Sequence, residues 1–310
     1  MGEVIGDGLI KLPFIAGLRA SYPDARITWA AAKGETVYAG PLKAVVAGYI
    51  DEILTQGPTG EAAGDILPWV KPFGGRRFDL VIDTQENLRR SLVARRAGRR
   101  YVGKPSKGWP EAVTERLAVL LARATDGQGT PRPLVLTNPD ALAAAQILLP
   151  FGPDYVGFAP GAGGQEKRWP LERYLSLAIQ TQQAGRTPVF FFGPDEATEA
   201  KAARLAVPDA LFPEADRKDV LTHVKGPLLV IALASRLSAA VANDAGPGHM
   251  LAAGGAPLLS LQKDRRKAVK FRPAARALEV LIAEDYGQDM AALPLEVAAA
   301  ALNRLLEQRS

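Results

Sequence analysis

The sequence predicts an α/β protein of two halves, each a parallel sheet wound on both faces by helices. Three observations predict it. Apolar runs of strand length alternate with longer amphipathic segments along nearly the whole chain. The 310 residues suffice for two domains of ordinary size. A Pro/Gly break, Pro150-Phe151-Gly152-Pro153, marks a point after which the strand–helix series starts again. The expected division is therefore 1–150 and 151–310.

In the first half, Gly8 to Ala20 reads as a helix that ends before Tyr22-Pro23, and Arg26 to Ala31 as a strand. Phe78 to Asp83 is a strand of the buried type, because its apolar residues run together rather than alternate. A helix rich in arginine follows from about Leu88 to Ala97, and another runs from Glu111 to Ala124. Asp126 to Pro133 has linker composition, and Asp140 to Leu148 is a helix. In the second half, strands are expected at Tyr155–Phe158, Thr187–Phe192, Ala239–Ala242, Pro257–Leu261 and Ala277–Ile282. Helices are expected at Leu171–Ala184, Glu196–Leu205, Leu228–Ser235 and Leu295–Leu306, the last opened by Pro294.

Composition narrows the chemistry. Hydrophobic residues make up 47% and charged residues 23% of the chain, which is the balance of a folded globular protein. There is no cysteine, so disulfides, thiolate metal sites and cysteine nucleophiles are excluded. Only two histidines, His223 and His249, are present, and no metal site is expected. No apolar stretch reaches the ~18 residues of a membrane span and no signal pattern precedes Asp7, so the expected location is cytoplasmic. The net charge is +5, but Arg76 to Lys107 holds ten basic residues against the three acids Asp79, Asp83 and Glu86. Such a window suits a phosphorylated or anionic partner, or simply a solvated helix face. Few aromatics interleave with these arginines, so no nucleic-acid partner is expected.

Four places have the composition of a working site, each where a strand of a doubly wound sheet should end. Gly6-Asp7-Gly8 sets a carboxylate at a helix start, as a general base or as a cap. Ala159-Pro160-Gly161-Ala162-Gly163-Gly164 runs into Lys167-Arg168-Trp169-Pro170, giving close backbone approach and two cations for a diphosphate. Gly193-Pro194-Asp195-Glu196 offers a carboxylate for ribose hydroxyls, or an ordinary helix start. Asn243-Asp244-Ala245-Gly246-Pro247-Gly248-His249 brings an acid, helix-start amides and an imidazole together after a buried strand. An ordinary turn with Asp244 as a cap accounts for the same residues. P-loop and nucleophile-elbow patterns are absent.

In this order the elements resemble glycosyltransferase family 9, the ADP-heptose:lipopolysaccharide heptosyltransferases and their relatives. The resemblance is carried by Ile5-Gly6-Asp7 with Leu12-Pro13 and Tyr22-Pro23, then by Phe78 to Asp83 with Gln85 and Asn87-Leu88-Arg89. It continues through Pro160-Gly161-Ala162, Lys167-Arg168-Trp169-Pro170, Gly193 to Glu196 and Asn243 to His249. It implies a GT-B fold, two Rossmann-like doubly wound domains facing a central cleft. It also implies an inverting transfer that needs no metal and no cofactor beyond a nucleotide-sugar donor, ADP-linked in the best-known members. Asp7 would be the base and Lys167 would stabilise the leaving phosphates. Gly161, Ala162, Arg168, Glu196, Asp244, Gly246 and His249 would hold the donor. Gln85, Asn87, Arg89 and Arg90 would meet the acceptor, and the helix from Arg89 to Arg100 would face an anionic glycolipid at the inner-membrane surface.

Three departures accompany the resemblance. An apolar strand of about six residues would precede the Gly-Asp turn, yet only Met1 to Val4 precede Ile5; a start upstream of Met1 or a truncated pseudo-enzyme is expected. The usual Asp-Thr-Gly reads Asp244-Ala245-Gly246, and a usual Gly-Pro-Thr-Asp-Pro is replaced by Gln262-Lys263-Asp264-Arg265-Arg266. Two rivals therefore stand beside the transferase, a non-catalytic nucleotide or glycan binder and a sugar-nucleotide epimerase of similar build.

Overall fold

The computed structural model describes residues 3–31, 34–55, 57, 59–216 and 224–308; His223 lies outside them. The chain forms two compact units, residues 1–134 and 135–310. The division falls just after the Asp126–Pro133 linker stretch, ahead of the break at Pro150 to Pro153. The helix at Pro139–Leu148 consequently belongs to the second unit.

Unit 1 begins with helices α1 (Ile5–Leu9) and α2 (Leu12–Ser21), followed by strands β1 (Thr28–Ala30) and β2 (Glu52–Leu54). Then come β3 (Phe78–Ile82), α3 (Leu88–Ala97), β4 (Gly98–Val102) and α4 (Val113–Ala124). Its sheet is in two pieces: β1 pairs with β2 and β3 with β4, both in parallel. α2 packs on α4, and Leu12, Ile15, Leu120 and Leu121 are almost wholly buried. The arginine-rich helix ends at Ala97, and Gly98 leads directly into β4. Arg99 and Arg100 therefore lie on a strand, which corrects the expected helix to Arg100. Pairing with Leu80, Val81 and Ile82 across the ladder holds this arginine-bearing segment extended.

Residues 25–31 of and around β1, and 78–85 of and after β3, line one cavity of about 1060 Å³. Consecutive residues can line a cavity only along a strand's edge, since alternate residues point to opposite faces. Among the described residues β1 and β3 are each paired on one side only, and the cavity lies along both strands. Phe78, Leu80, Val81 and Ile82 are only part-buried, whereas the run of apolar residues had implied full burial.

Unit 2 contains α5 (Pro139–Leu148), β5 (Tyr155–Ala159), α6 (Leu171–Gln183), β6 (Thr187–Phe190), α7 (Ala197–Ala206) and α8 (Pro213–Asp216). It continues with α9 (Pro227–Ala234), β7 (Leu237–Asn243), α10 (Gly246–Ala253), β8 (Leu258–Gln262), α11 (Arg265–Lys270), β9 (Leu278–Ile282) and α12 (Leu295–Glu307). All five strands are parallel, in the order β6-β5-β7-β8-β9. On one face, Val156, Phe158, Ala239, Val241, Leu259 and Leu261 join the buried faces of α6 and α12. α10 covers the other face, with α9 behind it and α5 on α9. α9 is apolar all round and every residue from Leu228 to Ala234 is buried, as a helix between two layers must be. Gly157 leaves no room for a side chain, since a Cβ there would sit 2.7 Å from Leu237 Cδ1 on the neighbouring β7, and on the covered face a Cβ on Gly248 of α10 would sit 3.3 Å from the Ala242 methyl.

Candidate functional site

The strand order of unit 2 reverses between β5 and β7. From β5 the chain crosses to β6 on one side, and later to β7 on the other. In an open parallel sheet this switch point leaves a crevice at the carboxyl ends of the two strands. The Pro160–Gly164 loop follows β5 and Asp244 follows β7, so topology alone brings these two motifs together.

Asn243 joins them. At 1% exposure, its Nδ2 donates to the Pro160 carbonyl at 2.7 Å and its Oδ1 accepts from the Trp169 N–H at 3.1 Å. Trp169 is itself buried, donating Nε1–H to the Leu293 carbonyl at 3.0 Å and meeting Tyr174 edge-on. The segment between these anchors carries Lys167, whose ammonium lies 3.2 Å from Asp244 Oδ2 and stays about a third exposed. The lysine is thus held at the crevice with its charge half-met by a carboxylate.

Glu196 stands at the start of α7. Its Oε2 accepts from the Gly193 N–H at 2.7 Å, and the side chain is buried. Gly161 is required for that seat, because a Cβ there would be 2.1 Å from Glu196 Oε1. Arg168 donates to the Ala162 carbonyl at 3.0 and 3.2 Å and to Glu199 at 3.2 Å, with Glu196 3.7 Å away. Its guanidinium therefore fixes the glycine loop to α7. α10 starts at Gly246, with Ala245 as an extended N-cap that has no side-chain bond to offer. Pro247 has no N–H and the Gly248 N–H turns onto the Ala245 carbonyl at 3.1 Å. His249, on the first turn of α10, is buried; burial holds its pKa below the usual histidine value, against the opposing pull of the Asp244 charge. It is consequently neutral at pH 7.

In unit 1, Asp7 lies in the first turn of α1 and lines the 1060 Å³ cavity with Gln85 and Arg90. Tyr38, fully buried, donates its hydroxyl to the Gly8 carbonyl at 2.6 Å and braces this turn. Asp83, at the end of β3, accepts from the Gln85 N–H at 2.9 Å, Ser91 Oγ at 2.6 Å and Tyr101 Oη at 2.8 Å. Burial, with the Asp83 bond, pushes the Tyr101 pKa up to about 12. Gln85 Oε1 accepts from Arg90 at 3.4 Å, and Asn87 caps α3 by accepting the Arg90 N–H at 3.2 Å. Arg89 donates to the Glu61 carbonyl at 3.3 Å.

Much of the basic window is engaged within the unit. Arg96 donates to the carbonyls of Ile66, Leu67, Pro68 and Val70, Arg100 to Asp126 and the Arg123 carbonyl, and Arg99 pairs with Asp79. Sequence reading missed Asn243 and Asp83 as organisers. The signal for both was a polar residue closing an apolar strand, where burial demands that every polar atom find a partner. Among the described residues, no group of three or more His, Asp or Glu side chains gathers as a metal site would.

A doubly wound unit whose switch point carries a glycine loop, a lysine and a helix start has the Rossmann-like construction that a GT-B fold uses. Comparison with solved structures gives that fold over nearly the whole chain. The glycosyltransferase family 9 structure from Veillonella parvula matches with a TM-score of 0.71 at 19% identity, covering 99% of this chain and 95% of that one. The E. coli ADP-heptose lps heptosyltransferase II matches with a TM-score of 0.61 at 20% identity, covering 98% and 96%. The E. coli heptosyltransferase WaaC with ADP-2-deoxy-2-fluoro heptose gives 0.64 at 15% identity, covering 100% and 98%. Comparison with curated protein sequences gives no match. Residues 99–290 match glycosyltransferase family 9 (heptosyltransferase). The chain belongs to that family and is a heptosyltransferase-like glycosyltransferase, which sets the epimerase reading aside.

Proposed function

We propose that this enzyme moves a heptose from an ADP-linked donor to an anionic glycan of the cell envelope, with inversion and without a metal ion. The observation that carries the reading is Lys167 held beside Asp244 at the switch point, next to the start of α10. The ligands of the E. coli WaaC structures, ADP and ADP-2-deoxy-2-fluoro heptose, support the donor class.

In this scheme the Asp7 carboxylate takes the proton of the acceptor hydroxyl. The freed oxygen bonds to the anomeric carbon as the bond from that carbon to the β-phosphate oxygen breaks. The nucleoside diphosphate leaves with the bonding pair. Lys167 and the Gly246 N–H take up the charge that develops there, an effect that grows as water is excluded. Glu196 accepts from ribose or sugar hydroxyls. Neutral His249 and Asp244 orient the donor, and the Gly161–Ala162 backbone meets the diphosphate. Gln85, Asn87, Arg89 and Arg90 serve the acceptor, the last two matching its negative charge. Because that acceptor is a glycolipid, the enzyme works at the cytoplasmic face of the inner membrane as a peripheral protein. Among the described residues no helix is long and apolar enough to cross one.

The test is transfer from a panel of ADP-, UDP- and GDP-sugars by wild type and Asp7→Asn. The ADP-heptose rate should exceed the others, and Asp7→Asn should lower kcat by about 10²–10⁴ with an unchanged melting temperature. Full transfer by Asp7→Asn would remove the assigned base. Equal or better use of a UDP- or GDP-sugar would remove the donor.

A further inference from the structure

A second cavity, of about 500 Å³, lies where the amino ends of β5, β6 and β7 come together, at the edge of the unit 2 sheet opposite the Asp244 crevice. Its size falls in the ~300–1,000 Å³ range of small-molecule pockets. One charged residue stands just before each strand: Asp154 before β5, Arg186 before β6 and Arg236 before β7. The two guanidiniums are each fixed through Nε alone. Arg186 Nε donates to Asp154 Oδ2 at 2.9 Å, and Arg236 Nε to the Leu149 carbonyl at 2.9 Å. The Arg236 guanidinium carbon also lies 3.5 Å from the centre of the Phe151 ring, a stacking distance. Both cations are therefore held in place, while their four terminal nitrogens have no hydrogen-bond partner among the described residues.

The charge at this edge is uneven. Asp154 is the only carboxylate lining the cavity, and it is engaged by both Arg186 Nε and Ser238 Oγ. Two guanidiniums against one carboxylate leave the cavity positive. Asp154 also sets the spacing. It holds Arg186 on one oxygen and Ser238 of β7 on the other, which draws Arg186 across β5 toward the strand that Arg236 precedes. Each terminal pair of N–H donors matches two oxygens of a phosphate or carboxylate. A free surface arginine would lose rotamer entropy on taking such a group; here Asp154, the Leu149 carbonyl and the Phe151 ring have ordered the two side chains beforehand. Part of the lining is apolar, however. Phe151 leaves 77% of its surface exposed, and Leu306 of α12 lines the cavity beside it. A bare inorganic ion would fill little of the volume and cover neither.

We propose that this cavity binds a small organic oxyanion, a phosphate ester or a carboxylate, with its charged end between Arg186 and Arg236 and its apolar part against Phe151 and Leu306. The site stands on the amino edge of the unit 2 sheet and does not depend on the proposed reaction.

The test is calorimetric titration of the full chain with phenyl phosphate, benzoate, inorganic phosphate and, as a neutral control, phenol. Wild type is compared with Arg186→Gln, Arg236→Gln and Lys167→Ala, the last because the crevice also offers a cation to phosphate. An organic anion should bind wild type and Lys167→Ala alike, and about tenfold or more weaker in either arginine variant. Its affinity should fall as salt is added, and phenol should not bind. The tighter of phenyl phosphate and benzoate identifies the source of the oxyanion. If an arginine variant fails to fold, amide chemical-shift changes in wild type answer the same question, and they should centre on residues 151–155, 186–187 and 235–238. Equal binding in the arginine variants would overturn the proposal, as would binding lost in Lys167→Ala or shift changes centred on the crevice. Absence of binding by both organic anions at about 10 mM would overturn it as well. Inorganic phosphate binding as tightly as phenyl phosphate and benzoate would overturn the organic part of the assignment.

Discussion

Replacing Asn243 by alanine is the sharpest single test of how the crevice at the β5/β7 switch point is built. The side chain is 1% exposed and makes two bonds to backbone groups that are themselves buried, the Pro160 carbonyl and the Trp169 N–H. Alanine leaves both groups without their side-chain partner. An unsatisfied buried polar group costs about 1–3 kcal/mol, so the pair costs about 3 kcal/mol after the asparagine's own desolvation is returned. For a unit of this size that is a fall of about 6–12 °C in melting temperature. Asn243→Asp should cost at least as much, because it keeps the acceptor for Trp169 but turns a carboxylate oxygen against the Pro160 carbonyl. The assay is urea and thermal unfolding of unit 2, followed by the tryptophan signal of Trp169. Since Lys167 lies between the two anchors, ADP affinity should fall as well. A loss below about 1 kcal/mol in Asn243→Ala, with ADP binding intact, would refute the account of Asn243 as the tie between loops.

Four further outcomes are expected from the same structure; the loss of transfer in Asp7→Asn is one. Ala245 has the extended backbone of an N-cap, φ −156° and ψ 172°, without a side-chain acceptor, so Ala245→Thr should raise stability by about 1 kcal/mol in urea unfolding, and an unchanged midpoint would contradict it. Tyr174 buries a hydroxyl that has no partner among the described residues, so Tyr174→Phe should be neutral or stabilising; a loss above about 1 kcal/mol would reveal a bond to that oxygen. His249 is held neutral by burial, its folded pKa lying below the usual 6.5. The unfolded chain then binds the extra proton, so stability is full above about pH 6.5 and falls as the pH drops below it, by at most about 1.4 kcal/mol per pH unit. Urea unfolding at pH 7.5 and 5.5 checks this: His249→Gln should narrow the difference, and an identical difference in both proteins would count against it.

Unit 2 was legible because its elements obey one rule each. A 3.6-residue period over Leu295 to Leu306 meets a pleated apolar face, and an apolar run such as Ala239 to Ala242 has nowhere to go but the sheet centre. The positions of the motifs were legible too: the glycine loop and Asp244 follow β5 and β7, and Lys167 meets Asp244 there. Less visible was what each does locally. Arg168 clamps the glycine loop and Asn87 caps α3, local roles that their spacing did not show. A side chain's nearest unsatisfied backbone group is a tertiary fact that spacing does not encode. The same holds for Arg96, which looked like surface charge and instead gathers the carbonyls of a turn-rich segment that has no ladder of its own.

Unit 1 was harder, and β3 shows why. Its Phe78, Leu80, Val81 and Ile82 read as a strand to be covered on both faces and both edges, yet they lie half-open on a cavity. Local propensity and pattern agree with each other here and disagree with the burial achieved. The contrast with unit 2 isolates the cause. β5, β7 and β8 carry the same kind of apolar run and are buried at every position, each being flanked by two strands. β1 and β3 have one flanking strand each, and neither is buried throughout. Burial is complete in the unit 2 strands flanked on both sides, while β6, paired in the sheet with β5 alone, leaves only Thr187 half-buried.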